Sequence, residues 1–191
     1  MHKSFTPLTS HPLKAGSGFA RPTQILPQNV KLDDPAVNVM NDLRSISVVN
    51  VRARTSMDKA NAKMIRYGVR TLLVLDDMDK VTGLLTATDV LGEKPIRFLQ
   101  EMGGTHADIM VRDVMTVQRE LEVLSLEDVL NAKVGDILAT LKAAGRQHAM
   151  VIEENDEGAQ LVRGLFSATQ IGRQLGVRLK TAEVAKVFTE I

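Results

Sequence analysis

The sequence predicts a mixed α/β (α+β) protein in which one β-α-β-β-α unit occurs twice, between an extended tail and a C-terminal helix. Three observations lead to that expectation. The first is an internal repeat, the feature to look for before any element is assigned. Tyr67-Gly68-Val69-Arg70-Thr71-Leu72-Leu73-Val74-Leu75-Asp76-Asp77 aligns with residues 144–154 at an offset of 77. Gly83-Leu84-Leu85-Thr86-Ala87-Thr88-Asp89-Val90 aligns with Gly164-Leu165-Phe166-Ser167-Ala168-Thr169-Gln170-Ile171 at an offset of 81, and Val39-Met40-Asn41 with Val114-Met115-Thr116 at 75. The four-residue difference between the first two offsets falls in the polar stretch 155–160, where a loop absorbs it. The second observation is a pair of apolar stripes at helical spacing, each ended by a glycine. The third is a set of short aliphatic runs bounded by acidic turns, apolar on both faces and so suited to buried strands.

Taken in order, residues 1–35 hold five of the six prolines together with Gly16 and Gly18, which excludes a regular element of useful length and leaves an extended or disordered tail. Gly16-Ser17-Gly18 is no phosphate loop, because no strand precedes it and no Gly-Lys-Ser/Thr follows. The first unit, residues 36–103, opens with a strand at Ser47–Val51. A helix carrying Met57, Ala60, Met64 and Ile65 follows, with Thr55 or Ser56 as N-cap and Gly68 to close it. Strands at Leu72–Leu75 and Val81–Leu85 come next, then a helix from about Thr88. Pro95, Ile96, Leu99 and Met102, ended by Gly103-Gly104, describe a linking helix. The second unit, residues 104–176, repeats the order: a strand at Glu122–Leu124, a helix bearing Val134, Ile137, Leu138 and Leu141 closed by Gly145, strands at Ala149–Ile152 and Leu161–Phe166, and a helix from about Thr169. Residues 177–191 form a helical extension, with Thr181 as N-cap and an apolar stripe of Val184, Val187, Phe188 and Ile191 that another surface must cover.

Composition narrows the function. The 191 residues are long enough to bury a core without staples. The absence of Cys removes disulfides, thiolate metal sites and thiol nucleophiles together. With 24 Lys+Arg against 23 Asp+Glu there is no basic surplus to neutralise nucleic-acid phosphates, and 3% aromatic residues disfavour base-stacking platforms. The chain shows neither a leader-like apolar run near its start nor a stretch long enough to span a bilayer. A cytoplasmic protein with no membrane or nucleic-acid partner is expected. No His-Glu-x-x-His or Gly-x-Ser-x-Gly pattern occurs, so neither a metal nor a catalytic set is expected, and the chain does not read as an enzyme.

A duplicated unit of this size resembles the tandem CBS domain pair, or Bateman module. The residues that carry the likeness are Arg112-Asp113-Val114-Met115-Thr116 and Gly83-Leu84-Leu85-Thr86-Ala87-Thr88-Asp89 with its second-copy counterpart, within roughly residues 36–176. The resemblance implies two units packed about a pseudo-twofold axis with two clefts, an adenosine nucleotide such as AMP, ADP or ATP as regulatory ligand in place of any cofactor, a homodimer, and regulation of a protein partner of unknown identity. A ligand-free dimerisation or scaffolding module is the alternative.

Thr86-x-x-Asp89 and Ser167-x-x-Gln170 both fit a capping box, which needs no ligand. A helix N-terminus also suits a phosphate, and an ionised carboxylate accepts from both hydroxyls of a ribose diol. Asp89 therefore outranks Gln170 as a diol ligand, while capping is expected of both. By resemblance, adenine contacts map to Asn50, Val51 and on to Arg54, to Arg70 and Thr71, and to Gln147 and His148. Arg70 and Arg146 are the candidate phosphate partners. His148, in an apolar strand, reads first as a core or cleft histidine and second as a ligand contact. The family frequently carries Pro where this chain has Leu73 and Met150.

Overall fold

The computed structural model describes residues 9–17 and 22–177. In chain order the elements are β1 (Asn41–Asp42), β2 (Asn50–Arg52), α1 (Met57–Tyr67), β3 (Thr71–Leu75), β4 (Val81–Thr86), α2 (Ala87–Leu91), α3 (Glu93–Met102), α4 (Val111–Val114), β5 (Thr116–Val117), β6 (Val123–Ser125), α5 (Leu126–Asn131), α6 (Val134–Ala143), β7 (His148–Glu154), β8 (Gln160–Ser167) and α7 (Ala168–Gln174). Both β-α-β-β-α units are present, with α5 added between β6 and α6.

Local chemistry accounts for the boundaries. α1 buries Met57, Ala60 and Met64 on one face. Ile65, expected in that stripe, is 73% exposed instead. Gly68 ends α1 at φ +64°, its N–H reaching back to Met64 and Ile65 carbonyls, a conformation only glycine adopts without steric cost. α6 buries Val134, Ile137, Leu138 and Leu141, and Gly145 follows at φ +61°. Ser56 occupies the N-cap position of α1, but its side chain makes no capping bond.

The two sheets repeat one strand order and exchange one strand each. β2 runs parallel to β3, β3 antiparallel to β4, and β4 antiparallel to β5; β6, β7, β8 and β1 do the same in the second sheet. β5, which leads into the second unit, thus completes the first sheet, and β1, which leads into the first, completes the second. The cores follow the strands. Ile109, Val111 and Val114 are buried with Met57, Leu72, Val74 and Leu85, whereas Val30, Ala36, Val39 and Met40 are buried with Ile137, Leu141, Val151 and Phe166. A third cluster of Leu73, Leu84 and Met150 joins the sheets, so the two positions where the family often has Pro are occupied here by the side chains that pack sheet on sheet. A division of the sequence between residues 103 and 104 consequently cuts through both cores.

The repeat's glycines have a packing reason. A Cβ on Gly83 would lie 2.7 Å from the Thr116 carbonyl oxygen and 2.9 Å from Met115 Sδ, and one on Gly164 would lie 2.6 Å from Met40 Sδ. Each glycine makes room for the methionine of the exchanged strand. Arg163 ties β8 to β1 through Asp42, and Glu153 on β7 receives Arg44 at 2.7 Å.

The described part of residues 1–35 contains no helix or strand, but its last third is not a free tail. Gln24 accepts from Asp42 N–H at 2.8 Å and donates to the Met40 carbonyl at 2.9 Å, in the manner of a neighbouring strand. Val30 is buried, and its N–H bonds to the Gln174 carbonyl. The expected C-terminal helix, with Val184, Val187, Phe188 and Ile191, lies outside the described residues.

Candidate functional site

Two cavities lie where the sheets meet, and each draws on both units. The larger, about 310 Å³, is lined by Leu43, Ile46, Val48 and Val49 ahead of β2, by Arg70 and Thr71 at the start of β3, and by Ser167, Gln170 and Arg173 at the end of β8 and on α7. The smaller, about 230 Å³, is lined by Thr86, Thr88 and Asp89 of the first unit together with Glu120, Glu122, Arg146, Gln147 and His148 of the second. The residues expected to serve the Asp89 site from within its own unit are therefore divided. Arg70 and Thr71 join Ser167 and Gln170, while Gln147 and His148 join Thr86 and Asp89. Backbone bonds cause the division: Ala87 N–H at the start of α2 donates to the Arg70 carbonyl at 2.8 Å, and Ala168 N–H to the Gln147 carbonyl at 2.9 Å. Each carbonyl holds its own unit's helix, and the side chains of Arg70 and Gln147 line the cleft that takes the other unit's helix start.

Asn50 and Val51 line neither cavity. Val51 is a core side chain at 5% exposure, and the Asn50 carbonyl receives Lys63 Nζ at 2.6 Å. β2 begins at Asn50 rather than Ser47, so the wall of the larger cavity is formed by Val48 and Val49 in the segment before it. Arg54 likewise lies outside both linings.

The two helix starts differ in chemistry. Thr86 and Asp89 form a complete capping box: Thr86 N–H donates to Asp89 Oδ2 at 2.7 Å, and Asp89 N–H donates to Thr86 Oγ1 at 3.2 Å. The Thr86 hydroxyl also donates to Oδ2, while Lys94 Nζ lies 2.7 Å from Oδ1 and 3.0 Å from the Val114 carbonyl. Asp89, 8% exposed, is thus engaged at both oxygens by its own fold. Capping was expected at Ser167 and Gln170 too, and there it is not formed. Gln170 Oε1 instead accepts from Asn41 Nδ2 at 2.7 Å, and Gln170 Nε2 donates toward Gln174 Oε1 at 3.3 Å. The exchanged strand β1 places Asn41 there, and no spacing in the sequence signals that pairing. With five residues in α2 and seven in α7, neither helix develops the full end charge of a longer one.

The charges separate as well. Arg70 and Arg173 line the larger cavity, no carboxylate does, and neither guanidinium has an ion-pair partner among the described residues. Sequence reasoning had not found Arg173; its place one turn after Gln170 on α7 is the signal that could have. Arg146, the other phosphate candidate, lies in the smaller cavity, paired with Glu122 at 3.0 Å, beside Glu120 and Asp89. His148 lines both cavities. Burial pushes its pKa down to about 4, with Asp89 working against that shift and Arg70 adding to it. The imidazole is neutral at pH 7.

A family model described as "CBS domain" matches residues 36–95. No curated protein matches the chain by sequence. Among solved structures, an uncharacterised conserved protein from Pyrococcus horikoshii is similar at a TM-score of 0.55 with 23% identity, over 79% of this chain and 98% of that one. The conserved CBS domain protein TA0289 of Thermoplasma acidophilum is similar at 0.52 with 20% identity, over 79% and 72%. CBSX2 in complex with AMP is similar at 0.50 with 20% identity, over 73% and 94%. These likenesses concern the fold.

Proposed function

We propose that the chain, whose residues 36–95 match the CBS domain and whose second sheet repeats the strand order of the first, is a CBS-pair regulatory module binding an adenosine nucleotide in the larger cleft. One observation carries this reading: two unpaired guanidiniums, Arg70 and Arg173, line a cavity whose other wall is aliphatic. Guanidinium groups suit phosphate oxygens, and Val48, Val49 and Ile46 suit the faces of a base. Thr71, Ser167, Gln170 and Asn41 supply hydrogen-bonding groups between them. The AMP complex of the structurally similar CBSX2 supports the ligand class. The smaller cleft offers Asp89 to a ribose diol only when Lys94 releases it, and its acidic lining opposes a phosphate. One nucleotide per chain follows, with the bound state read by a protein partner and with no catalytic step.

The test is a calorimetric titration of the whole chain with AMP, ADP and ATP, alongside thermal melting. At a hundredfold excess over Kd the ligand raises stability by about 2.7 kcal/mol, a shift of several degrees. Arg70→Ala and Arg173→Ala each weaken binding by about tenfold, the worth of one charge-assisted hydrogen bond. At pH 7.5 Asp89→Asn leaves affinity for the single site unchanged. Absence of binding by all three nucleotides overturns the reading. The alternative, a ligand-free dimerisation module, is favoured by exposed apolar side chains on adjacent helices: Ile65 on α1, Leu91 on α2, Ile96 and Met102 on α3. Light scattering that reports a dimer, from protein that binds no nucleotide, selects it.

A further inference from the structure

One side chain belongs to both clefts. His148 opens β7 and lines the larger and the smaller cavity, whereas Thr71, its counterpart at the 77-residue offset, lines only the larger. The imidazole is mostly buried and, among the described residues, makes no hydrogen bond. The charged groups around it divide by side. Arg70 and Arg173 line the larger cavity, Asp89, Glu120, Glu122 and Arg146 the smaller, and its cross-strand neighbour on β8 is the uncharged Ser167. Arg70 opposes a proton on the ring and Asp89 favours one. An anion seated against Arg70 cancels the opposing charge and leaves the favourable one in place.

We propose that His148 takes up a proton from solvent when an anionic ligand occupies the larger cleft, so that ligand and proton bind together and the occupied state reaches Asp89 in the smaller cleft. The inference rests on the reading that the larger cleft holds a phosphate-bearing ligand. Linkage sets the expected effect. Where the complex holds the proton more tightly than the free chain, affinity rises as pH falls. Burial, the largest cause of the low pKa, persists in the complex, so the ring rises but stays below its ordinary value of about 6.5, and binding is tighter at pH 5.5 than at pH 7.5 by less than about tenfold.

The experiment is calorimetric titration of the full chain with AMP at pH 5.5, 6.5 and 7.5, in buffers of different ionisation enthalpy, for wild type and His148→Asn. The phosphate's own titration is common to both proteins and cancels in their ratio. The expected result is extra proton uptake by the wild type and a variant-to-wild-type Kd ratio that grows from pH 7.5 to 5.5, by less than about tenfold. Equal uptake with a ratio independent of pH overturns the role of His148 and leaves the nucleotide site standing. Failure of AMP to bind either protein at any pH overturns the site and this inference with it. Should His148→Asn not fold, NMR titration of the wild-type His148 ring with and without AMP decides the matter: a raised pKa in the complex supports the proposal, and an unmoved one overturns it.

Discussion

His148 shows what a single residue's surroundings do to its chemistry. The unfolded chain binds its proton near pH 6.5, the folded chain only near pH 4. Between those values the unfolded state holds more protons, so the stability present above pH 6.5 is lost as pH falls toward 4. Urea unfolding is expected to show the chain about 2 kcal/mol less stable at pH 5 than at pH 7, and His148→Asn to remove most of that slope. Gly83 and Gly164 make a second residue-scale pair. A methyl group on Gly83 meets a backbone oxygen at 2.7 Å, which cannot step aside, while one on Gly164 meets the flexible end of Met40 first. Gly83→Ala should cost about 2–3 kcal/mol and Gly164→Ala about 1 kcal/mol, both from denaturation midpoints. The sequence displayed both glycines as repeat positions, yet their cause, a methionine arriving from the other unit, is a contact between residues far apart in the chain.

At the scale of elements, the two helix starts look interchangeable as sequence and are not. Ser/Thr followed three residues later by Asp or Gln is the written form of a capping box, and only α2 completes it. Thr86→Ala is expected to lower stability by about 1–2 kcal/mol, while Ser167→Ala stays within about 0.5 kcal/mol, both measured by urea titration. Gln170 is drawn away by Asn41 because β1 lies against β8. The helices and the longer strands were legible because periodicity and closing glycines are local signals. The larger cleft's upstream wall was placed two residues late, at Asn50 and Val51 rather than Val48 and Val49, because a short aliphatic run does not reveal where pairing begins. β1 and β5, two residues each, carry no periodic signal at all; only the matching Val39-Met40 and Val114-Met115 pairs marked them.

The whole molecule is two units that cannot be separated at the boundary the sequence suggests. The first core needs Ile109, Val111 and Val114, each essentially fully buried, and the second needs Val30, Ala36, Val39 and Met40. Burying one such valine or isoleucine contributes about 1.5–3 kcal/mol, so losing three removes an amount comparable with a small protein's entire stability of about 5–15 kcal/mol. Fragments 22–103 and 104–177 expressed separately are expected to show no cooperative thermal transition by circular dichroism. Mixing them restores one, because each supplies the strand the other lacks. A cooperative transition in either fragment alone would show that the exchanged segments are dispensable.

By itself the sequence determined the repeat, the identity and order of the main elements, and the residue types available for binding, because each is written in local spacing. Which of those residues face one another was decided by tertiary structure. The exchange of β1 carries Asn41 to Gln170, and the packing of the two units puts Arg70 and Arg173 on the lining of one cleft and Asp89, paired with Lys94, on the acidic other. The physical reason is that an edge strand of two residues has almost no stability of its own and settles wherever a complementary sheet edge and a vacant place above a glycine await it.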